Sequence, residues 1–202
     1  MRMTGLEKRL VNRSQKAERN VERLRERLEG LETRNMHDAL ELGCGTGVVT
    51  AFLAQNYGMN VCGTDFYPSQ VQLARAMNRE SDRLHFEVAD AARLPFADSS
   101  FDLVVSQNVF HHVPDWKGAV REVSRVLRPD GYLIWSDLAF PRWVVAAFRP
   151  TLKSYGLYTL EQVQAEVAEH GFQTVSHQRI AHGPFGHHQM VLRRSSSHRT
   201  AT

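Results

Sequence analysis

Glu41 sits in the short apolar run Asp38-Ala39-Leu40-Glu41-Leu42, which passes straight into Gly43, Gly45 and Gly47, with Thr46 between the last two. Glycines at alternate positions let a turn adopt conformations closed to other residues and bring backbone close to a ligand. Asp65 ends a second apolar run, 22 residues past Gly43, and Phe66 stands beside it. A carboxylate so placed can accept hydrogen bonds from both hydroxyls of a ribose, and a flat ring can lie against a purine. Asp90, followed by Ala91, ends a third run and can accept from an exocyclic amine. Ser106, Gln107 and Asn108 end a fourth, and His111 and His112 come soon after. An imidazole titrates near neutrality, so His111 is a candidate base for a substrate hydroxyl or carbon acid.

The charges narrow the ligand. Glu41 beside the glycine turn suits an ammonium group and repels a pyrophosphate. A dinucleotide fingerprint also needs a third glycine where this chain has Val48. A nicotinamide-dependent oxidoreductase is therefore disfavoured. A nucleoside bearing an amino acid and no phosphate fits the set, and S-adenosylmethionine is such a molecule.

These residues need strands to end together and helices to hold the strands. The pattern predicts strands over 38–42, 59–64, 84–89, 101–106, 131–137, 173–180 and 187–193. It predicts helices over 47–56, 69–79, 116–127 and 159–169. Strands alternating with helices imply an α/β fold with a parallel, doubly wound sheet, and in such sheets ligands bind beyond the carboxyl ends of the strands. Residues 5–33 read as a helical N-terminal extension (1–35), with Val21, Leu24, Leu28 and Leu31 at helical spacing. That stripe can pack on the core, cover the cofactor site or meet a second copy, which makes a homodimer through this helix a candidate arrangement. The main domain is expected over 36–193, and a Ser- and Thr-rich tail over 194–202 is expected to be disordered.

The chain has 202 residues and a net charge of +3. Ten Lys and Arg against six Glu within residues 1–35 put +4 in the extension, leaving −1 for the rest. We read the basic extension as a solvated helix rather than a nucleic-acid arm. The polar N-terminus is no secretory signal, no apolar run spans a membrane, and two cysteines, Cys44 and Cys62, build neither a disulfide framework nor a zinc cage. A cytoplasmic protein is expected. Among the late histidines, strand alternation sends His187 and His188 to opposite faces, so no metal site is assigned with His182.

The runs LELGCGTG (40–47), VCGTDFYPSQVQLARA (61–76), ADAARLPFADSSFDLVVSQNVFHHVPD (89–115) and REVSRVLRPDGYLIWSDL (121–138) together resemble the class I S-adenosylmethionine-dependent methyltransferases, in particular the small ubiquinone/menaquinone C-methyltransferase-like branch. The resemblance implies a Rossmann-like sheet of seven strands, mostly parallel, with an antiparallel last strand. It implies that Glu41, Gly43, Gly45, Thr46 and Gly47 line the methionine part of the cofactor. It puts Asp65 on the ribose, Phe66 on the adenine, Asp90 and Ala91 near the adenine edge, and Gln107 near the sulfonium. It also places substrate-covering segments at the N-terminus and after the fifth strand, where Phe140, Trp143, Phe148, Leu152 and Tyr155 make an apolar, aromatic stretch. Tyr67 stands where a helix-capping serine is usual, and a Pro-Asp-Gly turn (129–131) replaces Pro-Gly-Gly.

The expected activity is methyl transfer to a small, lipophilic or aromatic acceptor, with the methylated atom left open. Two other readings remain at this point: a non-catalytic cofactor-binding or interaction module that works through the N-terminal helix, and an RNA methyltransferase.

Overall fold

The computed structural model describes residues 5–148, 151–182 and 185–196. After a long helix α1 (Gly5–Leu28) come β1 (Asp38–Leu42), α2 (Val48–Tyr57), β2 (Asn60–Asp65), α3 (Pro68–Met77), β3 (Leu84–Val88) and β4 (Phe101–Gln107). The chain continues through α4 (Trp116–Val126), β5 (Leu127–Ala139), α5 (Arg142–Phe148), α6 (Leu160–Glu169), β6 (Phe172–His182) and β7 (Gly186–Arg194). The seven strands form one sheet in the order β3-β2-β1-β4-β5-β7-β6. Neighbours from β3 to β5 pair in parallel, and β7 runs antiparallel to both β5 and β6.

Alternation along the strands divides the core. Leu133, Trp135, Met190 and Leu192 face Val120 and Val123 of α4 and Val163 and Val167 of α6. Leu103, Val105, Ile134 and Val191 face the other way, onto Phe52 and Leu53 of α2 and Leu24 and Leu28 of α1. Helix α4 carries the apolar spacing that this demands, burying Trp116, Ala119, Val120, Val123 and Val126 along with Gly118. Helix starts are also written locally. Asp115 accepts from the Gly118 amide at 2.9 Å, Thr159 and Gln162 form a reciprocal capping box, and Pro68 opens α3. Tyr67 makes no side-chain cap, as its type suggests.

The apolar stripe of α1 is therefore occupied by the chain's own core. Arg27 fastens it further, donating to Gln189 at 3.1 Å and to Gln178, and so ties the helix across to β7 and β6. Three features depart from the sequence reading. The Pro-Asp-Gly turn lies inside β5, which starts at Leu127; Asp130 takes φ 65° there, and the pairing with β4 shifts register opposite it. A short helix, α5, forms within the apolar, aromatic stretch after the fifth strand, outside the helices that the pattern predicts. Arg194 belongs to β7 and the Ser195 amide donates to Gly171 at 2.8 Å, while the rest of the expected tail, 197–202, lies outside the described residues.

Candidate active site

The turn after β1 holds Gly43, Gly45 and Gly47 at φ 67°, 54° and 75°. These are left-handed conformations that a side chain strains. A Cβ on Gly43 would lie 2.4 Å from Val109, and one on Gly47 2.6 Å from Phe86. On Gly45 it would meet nothing within 4 Å. Gly43 and Gly47 are therefore small because protein is behind them, whereas Gly45 faces open space. The Cys44 amide donates to Thr64 of β2 at 2.8 Å, which pins the turn over the neighbouring strand. Burial pushes the Cys44 thiol far up, so it is an inert packing residue.

A cavity of about 260 Å³ opens here, lined by Glu41, Gly43, Cys44, Gly45, Thr46 and Val48, by Gln107 at the end of β4 and Asn108 after it, and by Ala17 and Asn20 of α1. Gly47 is the N-cap of α2 behind it. Asp65 reaches it indirectly: one carboxylate oxygen accepts from the Gly45 amide at 3.2 Å and the other from the Tyr67 amide at 3.0 Å. Each oxygen keeps a further lone pair for a ligand. Phe66, 62% exposed, stands edge-on to Tyr67 outside the lining. Asp90 accepts from the Ala92 amide at 2.9 Å, and Asp90 and Ala91 also lie outside it.

Two buried polar groups in this cavity point to a ligand. Glu41 is buried and accepts from the Thr50 hydroxyl. Burial pushes its carboxyl up to about 8, against the pull of the Thr50 hydrogen bonds and with a smaller push from the Asp65 charge. Gln107 donates from its amide nitrogen to the Asn20 carbonyl at 3.0 Å, while its buried side-chain oxygen has no hydrogen-bond partner. A cationic ammonium beside Glu41 and a donor beside Gln107 would satisfy both, so these residues fit an amino-acid-bearing ligand.

His111 lies in a single helical turn after β4 and pairs through Nδ1 with Asp137 of β5. Asp137 is wholly buried; it accepts from the Leu138 amide at 2.7 Å and from the His111 amide at 3.4 Å. A carboxylate is an acceptor, so a pair of this kind uses Nδ1 as the donor and leaves Nε2 for other contacts. The imidazole of His112 packs 3.9 Å from that of His111, and Tyr155 lies 6.1 Å from His112. The sequence singled out His111 but missed Asp137, whose signal was a lone acid in the apolar strand Leu133-Ile134-Trp135-Ser136-Asp137-Leu138. It also missed Asn20. A second cavity, about 690 Å³, runs between α5 and α6, lined by Arg142, Val145, Ala146, Thr159, Glu161, Gln162 and Ala165. His177 and His188 meet at 3.0 Å on the sheet, and His187 points the other way to Asn108 at 2.9 Å. Among the described residues no three potential ligands converge as a metal site.

Strand order, the reversed β7 and the glycine turn at the end of β1 define the Rossmann-like architecture of the class I methyltransferases. Residues 40–135, just under half of the chain, match the family described as a methyltransferase domain. Methyltransferase GfsG of Streptomyces halstedii is 40% identical over 121 residues, 58% of this chain and 44% of that protein. The 27-O-demethylrifamycin SV methyltransferase of Amycolatopsis mediterranei is 39% identical over 119 residues, 57% of this chain and 44% of that protein. The matches thus span less than half the length of these relatives. Among solved structures, a sarcosine dimethylglycine methyltransferase candidate from Galdieria sulphuraria superimposes with a TM-score of 0.75 at 19% identity, over 88% of this chain and 86% of that one. That likeness speaks for the fold.

Proposed function

We propose that this chain transfers a methyl group from S-adenosylmethionine to a hydroxyl of a small, lipophilic acceptor, with His111 as general base. The observation that carries the reading is the His111–Asp137 pair near the end of β4, on the side of the sheet where the glycine turn also opens. An amine acceptor arrives with a free lone pair and needs no base, whereas a hydroxyl must lose its proton as the new bond forms. The name of the rifamycin relative, which specifies an oxygen, supports this choice.

In this reading Glu41 takes the cofactor's ammonium, and Gly43, Gly45, Thr46, Gly47 and Gln107 hold its methionine part. Asp65 takes the ribose, Phe66 the adenine face, and Asp90 and Ala91 the adenine edge. When bound, the cofactor supplies an electrophilic methyl carbon on a sulfonium. The chain's share is alignment, exclusion of water and proton transfer. The acceptor hydroxyl would pass its proton to Nε2 of His111 as its oxygen takes the methyl group. Asp137 stabilises the imidazolium so formed.

His111→Ala should lower kcat for a hydroxyl acceptor by about 10²–10⁴-fold and leave the affinity for S-adenosylhomocysteine within a factor of about two. Asp137→Asn should lower kcat in the same direction, because the amide no longer favours the productive tautomer. An unchanged kcat in His111→Ala removes the base from the reading. A wild-type protein that fails to bind S-adenosylhomocysteine removes the cofactor.

A further inference from the structure

Helix α5 has the sequence Arg142-Trp143-Val144-Val145-Ala146-Ala147-Phe148 and is apolar on every side after its first residue. Val144 and Val145 are buried against the body, but Trp143 is 67% and Phe148 45% exposed. Leu152 and Tyr155 in the turn that follows, and Phe185 between β6 and β7, are exposed as well. Phe185 is continuous with this surface, since its ring packs edge-on to Phe140 at 5.6 Å just ahead of α5. A helix that is apolar all round is ordinarily enclosed. The outer half of α5 is not.

The charge within this stretch of chain has one sign, although Glu161 stands across the groove from Arg142. No Asp or Glu occurs between Asp137 and Glu161, while Arg142 and Lys153 stand within the apolar stretch. Elsewhere the surface mixes signs, as on α1, where Arg25 pairs with Glu22. A segment with an exposed tryptophan, further aromatics, cations and no acid of its own has the composition of one that lies in a membrane interface. We infer that this face docks on an anionic lipid surface, with Trp143 and Phe148 in the headgroup region and Arg142 and Lys153 on the lipid phosphates. A second copy is the poorer occupant, because a two-fold contact would set Arg142 and Lys153 against their own images.

Docking there would also serve the site. The inner side of α5 walls the 690 Å³ groove through Val145 and Ala146, and Tyr155 touches His112 beside the proposed base. A lipophilic molecule leaving the bilayer would meet the groove without crossing water. The inference does not require the methyl-transfer reading, since it rests on the surface alone.

Tryptophan emission with vesicles tests it. Of the three tryptophans, Trp116 and Trp135 are only 4% and 1% exposed, so a lipid-induced blue shift reports on Trp143. Vesicles of phosphatidylcholine containing phosphatidylglycerol should shift the emission and carry the protein in flotation. Added salt should weaken both effects. Trp143→Ser with Phe148→Ser should reduce the partition roughly tenfold or more. Arg142→Gln with Lys153→Gln should remove the preference for the anionic vesicles. No flotation of the wild type overturns the inference, as does equal partition into pure phosphatidylcholine. A concentration-dependent mass in lipid-free buffer that the Ser pair abolishes would give the face to a second copy and also overturn it. S-adenosylhomocysteine titration is independent of every arm, so failure here and failure of the cofactor assignment are read separately.

Discussion

Glu41 couples the cavity to pH. Burial pushes its carboxyl up to about 8 from an ordinary 4.5, so at pH 7 the ligand-free protein holds it mostly protonated. An ammonium set beside it favours the carboxylate. Binding of S-adenosylhomocysteine at pH 7 should therefore release close to one proton, read as the slope of calorimetric heat against buffer ionisation enthalpy. Glu41→Gln should abolish that slope and weaken binding. The sign for stability follows from the same shift. The folded value lies above the unfolded one, so the stability contributed by the protonated form is full below about 4.5 and is lost as pH rises through about 8. Over that window the wild type should lose, relative to Glu41→Gln, a few kcal/mol, at about 1.4 kcal/mol per pKa unit. Parallel unfolding profiles for the two proteins would show that Glu41 titrates as an ordinary carboxyl in the folded protein, and unchanged S-adenosylhomocysteine binding by Glu41→Gln would remove the ammonium assignment. Glu41 was legible in the sequence because an acid in an apolar strand next to a glycine turn has few structural uses. Asp137 is the same kind of residue, yet its partner lies 26 positions away. Only the register of β4 on β5, with Gln107 opposite Ser136, brings the two together.

Among the elements, those with strong periodicity could be read to within a residue or two, and those set by tertiary contact could not. The helix over 116–126 carries its own cap at Asp115 and an apolar face, and the helix over 48–57 is an apolar run bounded by Gly47 and Gly58, both left-handed. The seven-residue α5 is apolar throughout after Arg142 and so shows no periodicity, and α1 gave no sign of which surface its leucines would choose. The structure gives Leu24 and Leu28 to the face of the sheet built from Leu103, Ile134 and Val191, and leaves Ala17 and Asn20 over the cavity. The helix is thus anchored at one end and covers the site at the other. Leu28→Ala should cost about 2–5 kcal/mol, the range for a leucine removed from a packed core, measured by urea unfolding. A cost below about 1 kcal/mol would mean that the helix rests on the sheet without packing into it.

At the scale of the whole molecule, α1 shares one core cluster with β1, β4, β5 and β7, and Arg27 ties it to β7 and β6 besides. An extension joined in that way cannot melt alone without uncovering Ile134 and Val191, whose burial belongs to the central sheet. The chain should therefore unfold in a single transition, with far-ultraviolet ellipticity and the emission of buried Trp116 and Trp135 changing together. A ligand that binds only the folded form raises its stability by mass action, about 4 kcal/mol at a thousand times its Kd. For a domain of this size that corresponds to a rise in Tm of roughly 8–16 °C. S-adenosylhomocysteine should move both signals upward by the same amount, because the cavity is lined by α1 as well as by the strand ends. An early loss of helix signal that the ligand leaves in place would mean that residues 1–35 fold apart from the sheet. The Asn20 contact to Gln107 would then play no part in holding the cofactor.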